Sequence, residues 1–305
     1  MTTRITNGML QRTVLSDIQA AADKLSRTQQ QLSSGKQLTR PSDDPFATSR
    51  ALLYRNELEA SAQYKRNIDD ANAWQTTTDS ALSQINDFAQ RARELVVQAA
   101  NGSSGQVAKN AIATEIDQLI ESVKSEANTQ YAGRFVFGGS QTSTAPYKAG
   151  ADDTYYGDQS ALGREIGPGV SVQLNVDGLS SVGGVNAAGT NTGLIGALRQ
   201  IASDLRGVAP GDPTRLSNGD LSLLDTSLDQ LMNQRAIVGA RSNRLDSAAS
   251  RLDEITQATT QLLSNTEDVD MAKAYTDYSQ QAAVYQAALK SGASLIQPSL
   301  LDFLR

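Results

Sequence analysis

Neither cysteine nor histidine occurs in the 305 residues. The first absence removes disulfides, thiolate metal sites and thiol nucleophiles. The second removes the commonest general base and metal ligand. An enzyme built on Asp, Glu, Lys or Tyr would still need a motif at catalytic spacing, and none is present. EF-hand and phosphate-loop spacings are also missing, so Asp152-Asp153 and the glycine-rich loops read as turns. No catalytic, cofactor-binding or metal-ligating residue is therefore expected, and no cofactor. No apolar run approaches the roughly 18 residues of a membrane span. The N-terminus lacks an apolar signal segment, which by itself reads as cytoplasmic unless a dedicated apparatus exports the chain from an uncleaved N-terminus. A net charge of −6 argues against nucleic acid as the main partner.

Apolar residues make up 39%, many of them alanine, which suits long thin helical packing better than a globular enzyme core. From about 270 to 297, Met271, Tyr275, Tyr278, Ala282, Tyr285, Leu289, Gly292 and Ile296 recur at a 4,3 spacing, a helix seam that needs a partner. Residues 11–32 carry a seam of the same period in Val14, Ile18, Ala21, Leu25, Thr28 and Leu32, with Gly35 as the helix-ending left-handed residue. Residues 1–40 hold six basic side chains against two acidic ones. Residues 266–305 hold five acidic against three basic, so the two ends attract weakly.

Asp43 or Asp44 can cap a helix that starts at Pro45 and runs to about Ala100. Its second half keeps seven-residue register through Ile68, Gln75, Leu82, Ala89 and Val96, and through Ala71, Thr78, Ile85, Ala92 and Ala99. A shorter helix is predicted over 106–128, with Ile112, Ile116, Leu119 and Val123 on one face. At Arg134 the period changes: Phe135–Gly139 reads as a strand, and Val170, Val172, Leu174 and Val176 alternate before an Asp177-Gly178 turn. Helical spacing returns at Leu194–Leu205. A last long helix over about 220–265 has its seam at Leu224, Leu228, Leu231, Arg235, Val238, Ser242, Leu245, Ala249, Leu252, Thr256, Thr259 and Leu263.

The predicted fold is mainly α: a long antiparallel helical bundle or coiled coil formed by both termini, with a small β-rich inserted domain. Three parts are expected. Residues 1–42 with 266–305 form a terminal coiled coil, 43–134 with 193–265 a helical bundle, and 135–192 the insert. The tyrosines Tyr147, Tyr155 and Tyr156 could offer a carbohydrate face in the insert, though strand packing explains them more simply.

Several stretches resemble the bacterial flagellin family: Arg4-Ile5-Thr6-Asn7-Gly8-Met9, Gln31-Leu32-Ser33-Ser34-Gly35-Lys36 followed by Pro41-Ser42-Asp43-Asp44-Pro45, and Gln90 through Gly102. On the C-terminal side, Val238 through Asp246 and Glu267-Asp268-Val269-Asp270-Met271-Ala272 fit in the expected order. Within the family, the short middle region, the Tyr155–Gln159 stretch and the Leu300–Leu304 ending resemble the members that sit at the hook–filament junction. Flagellins can be equally short, so a filament subunit is the alternative.

The resemblance implies a structural protein without enzymatic activity, exported by the flagellar type III system and located outside the cell on the flagellum. Its partners would be other copies of itself in a ring, hook-associated protein 1, flagellin and an export chaperone. The same resemblance implies that the terminal coiled coil is disordered in the monomer and orders on assembly. It marks Val14, Ile18, Leu25, Leu32, Tyr275, Tyr278, Tyr285, Leu289 and Ile296 as assembly residues. It also turns the Arg91, Arg93 and Glu94 cluster, otherwise a solvated helix face with intrahelical pairs, toward neighbouring subunits. A chemoreceptor-like helical hairpin is the competing non-enzymatic reading, and the missing membrane span and the β-containing insert argue against it.

Overall fold

The computed structural model describes residues 7–100, 105–150, 152–186, 189–207, 215–216 and 219–296, without the side chains at 7, 8, 10 and 294–296. The chain forms two compact units, residues 1–60 with 254–305 and residues 61–253, and both boundaries fall inside long helices. The predicted apolar ending Leu300–Leu304, the Arg4–Thr6 stretch and the Asn101-Gly102 break lie outside the described residues.

In the first unit, α1 (Asn7–Ser34) stops at Gly35, whose φ of +69° is the left-handed conformation expected from its position. The Gly35 N–H donates to the Gln31 carbonyl at 2.9 Å. Helix α2 (Pro45–Ala100) begins where Asp44 Oδ1 accepts from the N–H groups of Phe46 and Ala47 at 3.0 and 2.9 Å. Asp44, not Asp43, is thus the cap. Asp43 closes the preceding turn by accepting from the Arg40 N–H at 3.0 Å. Helix α7 (Met271–Ile296) is capped in the same way by Asp270, which accepts from Ala272 and Lys273. Helices α1 and α7 run antiparallel: Thr28 meets Gln281 at 3.1 Å, and Gly292 backs onto Val14 and Ile18.

The second unit is built on α2 from Ser61, α3 (Gln106–Ala127), α5 (Gly193–Arg206) and α6 (Gly219–Glu267) up to Asp253. Pairs Arg93–Asp225, Asp79–Arg235 and Asn72–Asp246 place α6 antiparallel beside α2. All ten positions of the two predicted α2 registers are buried, from Ile68 to Ala99. The predicted α6 seam is buried or half-buried throughout its described length. On α3 the predicted Ile112, Ile116 and Val123 are buried, Leu119 is only half-buried, and the fully buried Ile120 beside it widens the face.

The insert is less regular than its alternating residues suggest. Among the described residues, three two-stranded antiparallel sheets lie in it or at its start: β1 (Gln130–Tyr131) with β2 (Arg134–Phe135), β3 (Gly163–Gly167) with β4 (Val170–Gln173), and β5 (Gly184–Val185) with β6 (Asn191–Thr192). Only Phe135 of the predicted 135–139 strand lies in a strand. Val136 and Phe137 are fully buried in irregular backbone that turns at Gly139, where φ is +68° and a Cβ would collide with the Asp158 carbonyl. Val172, Leu174 and Val176 are buried as expected, but Val170 stands 43% exposed, Asn175 between Leu174 and Val176 is buried too, and the strand ends at Gln173. The expected Asp177-Gly178 turn is the start of a one-turn helix, α4 (Gly178–Ser181), with Asp177 accepting from Leu179 N–H at 3.0 Å.

Candidate assembly surfaces

Assembly between copies needs exposed side chains held on rigid elements, so the exposure of each candidate decides its role. On α1, Val14, Ile18, Leu25 and Leu32 are half-buried against α7. On α7 the face turned to α1 is Ala274, Tyr278, Gln281, Tyr285, Ala288 and Gly292, again at 4,3 spacing. The predicted seam shares Tyr278, Tyr285 and Gly292 with it, and its Ala282 is half-buried as well. Met271, Tyr275 and Leu289 stand 52, 67 and 43% exposed along one edge of the helix. The side chain of Ile296 lies outside the described set. Gly292 lets α7 lie close against α1, where a Cβ would already sit 3.0 Å from Ile18 Cδ1 and 3.3 Å from Val14 Cγ1. Tyr275 and Leu289 are left facing solvent.

The end of α6 is tied to the turn after α1. Glu267, 5% exposed, receives Lys36 Nζ and an Arg55 guanidinium nitrogen, each at 2.7 Å. Backbone bonds Gln37 N–H to Glu267 O and Val269 N–H to Gly35 O, at 2.6 and 3.0 Å, close the same junction. The sequence marks Glu267 only as part of a family stretch, because its partners lie more than 200 positions away. Burial pushes the Glu267 pKa up, but the hydrogen bonds and charges of Lys36 and Arg55 outweigh it and hold the carboxyl below its ordinary value of 4.5. A depressed folded pKa contributes stability above the unfolded pKa and loses it as pH falls through the folded one. Acidification from about pH 5 to pH 3 is expected to weaken this junction. Glu267→Gln should flatten that part of the pH dependence of thermal melting followed by circular dichroism; an unchanged pH profile would contradict it.

In the second unit, Arg91 pairs along its own helix with Glu94 at 3.0 Å and across to Glu115 of α3 at 2.9 Å. Arg93 reaches Asp225 of α6 at 2.8 Å. The cluster is therefore more than a set of intrahelical pairs: it links α2 to both neighbours while its side chains stay roughly half exposed. Such exposed pairs contribute little to stability. Arg93→Glu places like charges beside Asp225 and reverses one charge of the face. Melting is expected to stay close to the parent's while sedimentation of assembled material falls; unchanged assembly would remove Arg93 from the interface.

The acidic pair of the insert has partners of its own. Asp153, 6% exposed, is shared by Lys124 at 3.2 Å and Arg199 at 2.7 and 2.9 Å. Arg199 continues to Asp117, which also meets Arg206. Asp152 accepts from the Thr154 N–H and the Tyr156 hydroxyl, which lower its pKa to about 2. Tyr147 is buried with its hydroxyl on the Gly178 and Gly183 carbonyls, and Tyr155 donates to the Phe137 carbonyl at 2.8 Å. Lys148 covers the ring of Tyr156 at 4.0 Å. Among the described residues no acidic cluster is placed to hold a metal, and no helix is long and apolar enough to cross a membrane.

Residues 5–142 match the model of the bacterial flagellin N-terminal helical region, and residues 221–304 that of the C-terminal helical region. The chain is 27% identical over 290 residues to flagellar hook-associated protein 3 of Escherichia coli, covering 88% of this chain and 91% of that protein. It is 26% identical over 314 residues to flagellin of Bacillus subtilis, covering 99% and 100%. The crystal structure of Bacillus cereus FlgL superposes with a TM-score of 0.58 at 25% identity, covering 70% of this chain and 99% of that one.

Proposed function

The chain belongs to the bacterial flagellin family and is a structural component of the flagellum, and from that premise we propose that it forms the adaptor between hook and filament. The observation that carries this reading is the match to hook-associated protein 3 along nearly the whole of both chains, joined by the fold of a solved FlgL chain over almost its full length. In this role a ring of copies presents one layer to hook-associated protein 1 and the other to flagellin. It works by shape and contact, without catalysis. Export through the flagellar type III system as an unfolded chain, guarded by a chaperone, places it outside the cell.

Residues 1–42 and 266–305 act as the assembly domain, 43–134 with 193–265 as the helical body, and 135–192 as the outer insert. The α1–α7 pair is narrow, and two helices alone bury little surface. Neighbouring copies complete its packing through the exposed edge of Tyr275 and Leu289, so that ordering of the ends is coupled to assembly. Limited proteolysis of monomer should remove both ends before it cuts the second unit; ends that survive would contradict the coupling.

Similarity of the same order to a flagellin over the full chain makes a short filament subunit the second reading. Purified protein added to filament seeds separates the two. A junction protein adds a limited layer and stops, whereas growth of long filaments would establish the filament subunit.

A further inference from the structure

A cleft of about 450 Å³ opens in the second unit between the insert, the start of α5 and the middle of α6. Its walls are Gln159, Leu179, Ser180, Thr192, Gly193, Gln230, Asn233 and Gln234. None of them is charged, in a chain that is 20% charged, and none is aromatic. The side chains of Gln159, Gln230, Asn233 and Gln234 have no hydrogen-bonding or ionic partner among the described residues. Thr192 turns its hydroxyl to the Gly184 carbonyl at 3.2 Å and makes no side-chain cap for α5, whose Ile195 N–H donates instead to the Val182 carbonyl at 3.0 Å.

Each primary amide offers one carbonyl and an N–H₂, the same donor–acceptor pair as a peptide group. Gln230 and Gln234, four residues apart on α6, are separated by about 6 Å along the helix. On one edge of an extended strand the N–H and C=O pair recurs every second residue, roughly 6.8 Å. The two spacings match. The absence of charge disfavours acidic or basic ligands, and the absence of a ring leaves a sugar no platform to stack on. We propose that this cleft binds a short, extended, uncharged polypeptide segment of a partner chain by reading its backbone, with Gln230 and Gln234 each taking one amide unit and Gln159 and Asn233 holding the rim.

The probe is the capped peptide acetyl-Thr-Val-Thr-Val-Thr-amide, added to the full-length chain while side-chain amide resonances are followed by NMR. Saturable shifts confined to Gln159, Gln230, Asn233 and Gln234 are expected, with a dissociation constant on the order of 1 mM, as suits two or three residues of contact. Methylating alternate backbone nitrogens of the peptide keeps its side chains but blocks one edge, and should weaken binding at least about tenfold. Gln230→Ala with Gln234→Ala should do the same while leaving the rest of the spectrum in place. Absence of shifts, equal binding of the methylated peptide, or shifts elsewhere would overturn the proposal. So would occupation of the cleft by chitobiose in place of the peptide. Because the titration uses unassembled protein, its failure is separate from any failure of the junction reading.

Discussion

Asp153→Ala lowers the melting temperature of the second unit by on the order of 10 °C, the largest effect expected of any single charged residue. The carboxylate is nearly fully buried and shared between two cations, one of which, Lys124, has a side chain only 2% exposed. Removing one partner of a buried pair costs roughly 3–5 kcal/mol, because the remaining charge stays out of water without compensation. For a unit of this size each kcal/mol is worth about 2–4 °C. Lys124 keeps Glu121 at 2.8 Å and loop carbonyls, which bounds the loss from above. Trp74, the single tryptophan, is 2% exposed in the same core and gives a fluorescence signal for this unit alone. A melting midpoint by Trp74 fluorescence within a degree of the parent's would show that the ion network carries no stability.

Gly292→Leu separates α7 from α1 and abolishes assembly while the second unit stays folded. The glycine matters here for space rather than backbone freedom. Even a methyl group would press on Ile18 and Val14, and a leucine has nowhere to go without moving the helix. Overpacking of this kind costs roughly 1–3 kcal/mol. That is large for a two-helix contact whose flanking residues are mostly half-buried. The expected result is a loss of helical circular dichroism with Trp74 fluorescence unchanged, and no sedimenting material. Assembly at the parent's level would place the functional packing of α7 on another face.

The α2 registers and the α6 seam could be read from the sequence because a long helix repeats its burial every seven residues, and ten or more positions vote on one face. On α7 the sequence shows the right period, and Tyr278, Ala282, Tyr285 and Gly292 of the expected seam are buried or half-buried. Periodicity also gives weight to Met271, Tyr275 and Leu289 as large apolar residues, yet these stay exposed while the small Ala274 is buried. In the insert, alternation finds the buried Val172, Leu174 and Val176 but misses that Val170 is exposed and that Asn175 is buried, its side chain accepting from the Leu162 N–H and donating to the Ser160 carbonyl. Neighbouring backbone pairing, which defines a strand, leaves no mark in one segment alone. The polar sites were hidden for a related reason. Glu267 with Lys36 and Arg55, and Asp153 with Lys124 and Arg199, join residues far apart in the chain, and no periodicity reports such pairs. The amide-lined cleft likewise draws on three separate elements whose glutamines look individually like solvated surface.

The most direct measurement of the junction role is electron microscopy of cells that lack this chain, with the culture medium assayed for flagellin. The account predicts complete hooks without filaments and flagellin released into the medium. Normal filaments on those hooks would contradict it.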